Sequence, residues 1–283
     1  MPPSLTGRCS TRGLALCRVV GLLCAFPPAL AADEAWPTAV HARYALKFNG
    51  ISVGFIDFNS KVSQQSYTIG GTGEVSLLFG AIKWVGSSNV SGQIEANTPK
   101  PASYSFDWKK KSKGGAITMK YAGGKATDIS VVPAPGSGPD VIPLKPEHSA
   151  GPLDPMSAIM MLTRTDPRAP CDRREAVFDG KHRYDIVFSY NRQAHIPAHG
   201  GGPSAIGYVC RAMYEPIAGY KNDAHHKAYA ANRDAEVILR PVPGTRLLIP
   251  YSVTIPTSWG TGSMVTERVD VTTASAGKVA LTE

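Results

Sequence analysis

Apolar and polar residues alternate with a period of two on both sides of Asn49-Gly50. In the segment 43–48, Tyr44, Leu46 and Phe48 fall on one face, and Arg43, Ala45 and Lys47 on the other. Ile51, Val53, Phe55 and, after Ile56, Phe58 start the return. Both residues of an Asn-Gly pair tolerate positive φ, which the tightest hairpin turn requires. A helix is excluded here, because Gly50 and Gly54 are poor helix residues and the period is two.

The same reading predicts strands over 66–70, 73–78, 84–94, 102–109, 116–121 and 128–132. Gly70, Gly71, Gly73, Gly86 and Gly92 fall within or beside them. Glycine inside a strand marks a bulge or a corner where a sheet curls. Repeated along a meander, it predicts a mainly β fold: a curled antiparallel sheet or open β-barrel.

Residues 133–152 are rich in Pro and Gly and read as a loop. A helix signal follows it. Asp154 can cap, Pro155 suits the first helical position, and Met156, Ile159 and Met160 share a face of the short run that continues to Leu162. So short a helix needs a sheet to cover, which places it against the concave face. Beyond it, Asp179-Gly180 separates the apolar run 175–178 from the alternating run 182–190, a second hairpin signal. Residues 191–203 read as a loop and 220–232 as a short helix or loop; strands are predicted over 207–214, 235–242, 247–256 and 263–271.

The first residues carry Arg8, Arg12 and Arg18 and no acid, then the short apolar run 19–26, then Pro27-Pro28 and Ala29-Leu30-Ala31. This is the pattern of a cleaved export signal over 1–31. The run falls short of the roughly 20 residues needed to span a bilayer. Leu23 is too large to precede a lipid-bearing Cys24, and Arg12 has no arginine neighbour for twin-arginine export. Residues 32–283 then form a single β-rich periplasmic domain. Cleavage removes Cys9, Cys17 and Cys24 and leaves Cys171 and Cys210, an even pair that predicts one disulfide in an oxidising compartment. Removing Arg8, Arg12 and Arg18 takes the net charge from +8 to +5, a modest excess compatible with an anionic membrane or wall polymer.

Several residues carry a resemblance. Asp154-Pro155-Met156-Ser157-Ala158, Cys171, the run 177–185 with Asp179, Gly180, Arg183, Tyr184 and Asp185, Cys210, and Ile217-Ala218-Gly219-Tyr220 occur in that order. The combination resembles an exported bacterial family known as domain of unknown function three-one-zero-eight, over nearly all of the mature chain. The resemblance implies a soluble envelope protein with a curled antiparallel sheet around a helix, a sheet type shared with lipoprotein carriers. It supplies no catalytic residues.

The chemistry-bearing residues read mostly as structure. Without a C-x-x-C motif, the cysteine pair reads as a bridge rather than a redox switch. His195, His199, His225 and His226 sit in polar or Gly-rich segments with no metal-binding spacing, so no metal or other cofactor is expected. Arg183 and Asp185 share a strand face and read as an ion pair. Lys109, Lys110, Lys111 and Lys113 read as a solvated hairpin tip; no stacking aromatics accompany them, and nucleic acid is not an expected partner. Gly123-Gly124-Lys125 lacks the rest of a phosphate loop, and no G-x-S-x-G occurs. Methionine suits adaptable binding surfaces, so Met156, Ile159 and Met160 are candidates for a ligand-lining wall, with a core plug as the alternative. The expected function is non-enzymatic: a periplasmic envelope protein that binds an apolar partner, a lipid or lipoprotein. The alternatives are an enzyme acting on an envelope polymer and a structural interaction module.

Overall fold

The computed structural model describes residues 36–77, 82–164, 169–198, 204–274 and 276–282. The predicted export signal with Cys9, Cys17 and Cys24 lies outside them, as do Leu78 and His199. The described strands are β1 (Ala39–Phe48), β2 (Ile51–Ser63), β3 (Ser66–Leu77), β4 (Ile82–Glu95), β5 (Thr98–Lys110), β6 (Lys113–Ala122) and β7 (Lys125–Val132). After helix α1 (Pro155–Met161) come β8 (Arg173–Phe178), β9 (Arg183–Ile196) and β10 (Ala205–Ala218). Helix α2 (Ala224–Ala231) precedes β11 (Glu236–Pro241), β12 (Leu248–Thr257), β13 (Gly260–Thr273) and β14 (Gly277–Thr282). No described helix is long and apolar enough to cross a membrane.

The pairings between these strands are all antiparallel, in the order β7-β6-β5-β4-β3-β2-β1-β13-β12-β11-β10-β9-β8. Local hairpins build each half, and β1 on β13 joins the halves across the length of the chain. At β13 the sheet forks. β12 pairs with the half nearer Gly260, and β14 takes its place along Arg268–Thr273. The fork buries Leu281 of β14 with Val269, Val271, Val242 and Ile249. β14 has no counterpart among the predicted strands.

The first hairpin forms as its sequence predicts. Phe48 lies opposite Ile51, and Asn49 and Gly50 have φ of 49° and 81°. Two expectations change. The two strands predicted over 66–70 and from 73 onward are one strand, Ser66–Leu77, because Gly70, Gly71 and Gly73 stay in register with β2 and β4. These glycines are a seat rather than a break: a Cβ on Gly71 would lie 2.7 Å from Met156 Cε, so the bare backbone lets α1 rest on the sheet. The expected loop 191–203 begins later, since β9 runs on to Ile196. Glu236 of β11 holds this extension by accepting from Asn191 Nδ2 at 2.7 Å and Arg192 Nη2 at 2.9 Å.

Edge strands β7 and β8 do not pair with each other. Residues 150–153 bridge the gap: Ala150 lies opposite Lys125 of β7, and Leu153 pairs in parallel with Val177 of β8. The Gly151 N–H donates to Gly124 O at 2.9 Å, and the Phe178 N–H to Leu153 O at 2.9 Å. A few residues of irregular chain thus cover two edges that would otherwise invite pairing with other chains. α1 follows directly and packs inside the curl against β3, β4, β5 and β8. Its core includes Met160 with Tyr67, Ile69, Val90, Tyr104 and Met119.

Candidate functional site

α1 is anchored by its first residues. Asp154 Oδ1 accepts from the N–H groups of Met156 and Ser157, both at 3.0 Å. These are two of the four donors that a helix start leaves unpaired. Asp154 is fully buried, and burial raises its carboxyl above the usual range against the opposing pull of the Ser157 and Met156 hydrogen bonds. Its Oδ2 is buried with no hydrogen bond among the described residues. The Ser157 hydroxyl pairs with the Tyr67 hydroxyl of β3 at 2.8 Å. Burial raises the Tyr67, Tyr104, Tyr121 and Tyr184 phenols, and the charges of Asp154 or Asp179 push in the same direction, so these tyrosines stay neutral.

Beneath the last turn of α1 lies a cavity of about 220 Å³. Its walls come from β1, β2, β11, β12 and β13, with Ile159, Met160, Leu162 and Thr163 from the helix side. Of the predicted lining trio, Ile159 and Met160 are on the wall and Met156 is not. Met156 lies instead against Gly71, where its Cε would be 2.7 Å from a Cβ. Two hydroxyls of the wall are paired: Tyr44 donates to Pro250 O at 3.1 Å and Thr163 to Met160 O at 2.8 Å, whereas Trp36 Nε1 is buried with no hydrogen bond among the described residues. Trp36 also lines the cavity, and the Arg164 guanidinium lies 4.9 Å from the centre of its ring. An engineered apolar cavity of about 150 Å³ stays dry and takes up benzene, so this one has room for hydrocarbon.

Sequence reasoning missed most of this wall. Tyr44 was legible from strand alternation, but Trp36, Val253, Met264 and Leu162 become neighbours only when β1 meets β13. No local spacing signals that meeting.

The residues of the family pattern converge on the seam between β7 and β8. Asp179 accepts from the N–H groups of Lys181 at 2.9 Å and His182 at 2.7 Å, and its Oδ2 lies 3.0 Å from His182 Nδ1. Burial alone would raise this carboxyl; the His182 contact and the backbone donors outweigh it and hold it below the usual range. Gly180 has φ of 99° and abuts β6: a Cβ there would lie 2.5 Å from Ile117 Cγ2. Gly219 backs onto the same turn, with room for no Cβ beside Lys181 O, and its N–H donates to Ile142 O at 2.7 Å. Tyr220 donates to Pro216 O at 3.3 Å. Asp185 pairs with Arg183 and, at 2.6 Å, with Arg174. The Tyr184 and Tyr214 rings pack at a tilt of 49° with centres 5.3 Å apart. These contacts pack the turn between β8 and β9 against β6 and brace β8, β9 and β10 against one another.

The Cys171 and Cys210 sulfurs are 2.01 Å apart and both residues are fully buried. They tie the approach to β8 to β10, across β9, amid Phe188, Val237, Leu239 and Leu248. His225 and His226 stand on α2, within the segment read as a short helix or loop, and His226 Nδ1 pairs with the capping Asp223 at 2.8 Å. No group of three or more metal-binding side chains occurs among the described residues. The Lys110 and Lys113 ends of β5 and β6 face each other across an exposed turn.

Comparison with known proteins agrees with this architecture. A crystal structure from Brucella abortus, a beta-barrel-like protein of domain of unknown function DUF1849, superposes with a TM-score of 0.50 at 11% identity. The likeness covers 83% of this chain and 98% of that one, and it extends to the fold alone. No curated protein matches the chain. The family described as protein of unknown function DUF3108 matches residues 43–265, a span from within β1 to the first part of β13 that includes α1, the seam and both cysteines. The chain belongs to this DUF3108 family.

Proposed function

We propose that this is an exported, non-enzymatic protein of the cell envelope that holds a hydrocarbon chain of a lipid or lipoprotein in the cavity under α1. The observation that carries the reading is the cavity wall: about 220 Å³ bounded mostly by aliphatic, aromatic and methionine side chains, with the Tyr44 and Thr163 hydroxyls hydrogen-bonded and Trp36 Nε1 a buried donor without a partner among the described residues. Such a wall offers burial and little to orient a polar substrate, which favours an acyl chain over a sugar or peptide. Export rests on the predicted signal and on the cysteine pair, which is stable only where thiols are oxidised.

The test is native mass spectrometry of protein purified from periplasm without detergent, joined to titration with a fluorescent fatty acid. Co-purification of a lipid and saturable uptake of the probe support the reading. A lipid-free protein that takes up no probe defeats it and leaves the interaction module as the better account.

A further inference from the structure

Two neighbouring turns of the sheet are almost without charge. Residues 44–56 and 250–266 form the β1–β2 and β12–β13 turns with their flanks, and Lys47 is the one charged residue in them. Yet their side chains are strongly exposed: Trp259 by 84% and Ile51 by 71%, with Phe48 and Ile255 also open to solvent. The turns are tied together, since the Asn49 N–H donates to Thr261 O at 2.9 Å and the Thr261 N–H to Asn49 Oδ1 at 2.8 Å. Exposed Tyr229 of α2 shares a cleft with Trp259.

Register connects these tips to the cavity. Phe48, Gly262 and Ile255 lie opposite one another on β1, β13 and β12, so they share a face. One step inward on that face, Leu46, Met264 and Val253 are opposite one another, and Met264 and Val253 are cavity wall. The apolar wall therefore continues outward to the end of the sheet, with bare backbone at Gly262. Register also brings a cationic turn to this end: Leu46, Gly54, Val75, Trp84 and Lys110 follow one another from β1 to β5. Lys109, Lys110, Lys111 and Lys113 there are all exposed.

This pairing matches an anionic lipid surface. Trp and Tyr favour the membrane interface. Lysines are drawn to anionic headgroups. A tip nearly free of charge escapes the penalty of desolvating ions. We infer that this end of the protein docks on an anionic bilayer, with Trp259, Ile51 and Phe48 in the interface and the lysine turn over the headgroups. Hydrocarbon then passes between bilayer and cavity along the face of Phe48 and Ile255. The inference rests on the hydrocarbon-cavity reading and adds the source of the chain.

Flotation of the full protein with vesicles tests it. Vesicles of phosphatidylglycerol and phosphatidylethanolamine should carry the protein, and phosphatidylcholine vesicles far less. Ile51→Ser and Trp259→Ser should each lower partition about tenfold or more, the loss of one buried large apolar side chain. Lys110→Glu with Lys113→Glu should lower it on anionic vesicles, and added salt should mimic that change. Brominated acyl chains should quench wild-type fluorescence and quench Trp259→Phe much less. Wild type that stays unbound, or tip variants that float like wild type, overturn the docking. Uptake of a monomeric fluorescent fatty acid from solution separates the two readings. Tip variants should retain it. Uptake without flotation defeats docking alone, and flotation without uptake defeats the cavity reading, with docking intact.

Discussion

Met160→Trp separates a cavity from a filled core. Met160 is buried in the cluster around Tyr67 and Val90, and it also forms part of the cavity wall. In a filled core the larger side chain would cost about 1–3 kcal/mol through overpacking. Here an indole can turn into the adjoining space of about 220 Å³, so the expected loss of stability is below about 1 kcal/mol. The same indole takes space from a bound chain. Excluding two or three methylenes at about 0.8 kcal/mol each removes roughly 2 kcal/mol of binding, close to a thirtyfold rise in Kd. Urea unfolding followed by near-ultraviolet circular dichroism gives the first quantity, and fatty-acid titration the second. A variant that unfolds readily, or one that binds the probe as tightly as wild type, refutes the reasoning.

Three further outcomes are expected. Replacing Cys171 and Cys210 together by Ser should cost about 4 kcal/mol, the chain-entropy value for a loop of this size, and reduction of wild type should lower the urea midpoint similarly. Asp154 has a raised carboxyl, so between its unfolded and folded values the native state holds the extra proton; its contribution is full below the unfolded value and is lost as pH rises through the folded one. The stability of wild type relative to Asp154→Asn should therefore fall as pH rises from acid, and a flat difference across paired unfolding curves would refute this. Gly180→Ala should cost about 2 kcal/mol or more by urea unfolding, because it adds positive-φ strain to a clash with Ile117, whereas Gly123→Ala has only the strain.

Local order in the sequence determined what local forces control. Alternation in 43–48, the Asn49-Gly50 turn, the Asp154-Pro155 start of α1 and the pairing of Arg183 with Asp185 all involve residues a few positions apart, so spacing alone reveals them. The curl was legible in the strand glycines, though their reason was not: Gly71 is bare because Met156, far along the chain, rests on it. The extension of β9 to Ile196 hangs on Glu236, and β14 exists because β12 diverges from β13 and leaves an edge to fill. Likewise, Ile159 and Met160 were recognisable as an apolar stripe with Met156, but which of the three border empty space depends on strands far away in the chain. A cavity is the space that several distant segments fail to fill. Strand β1 supplies one wall and β11, β12 and β13 another, and only their pairing across the length of the chain brings those walls together.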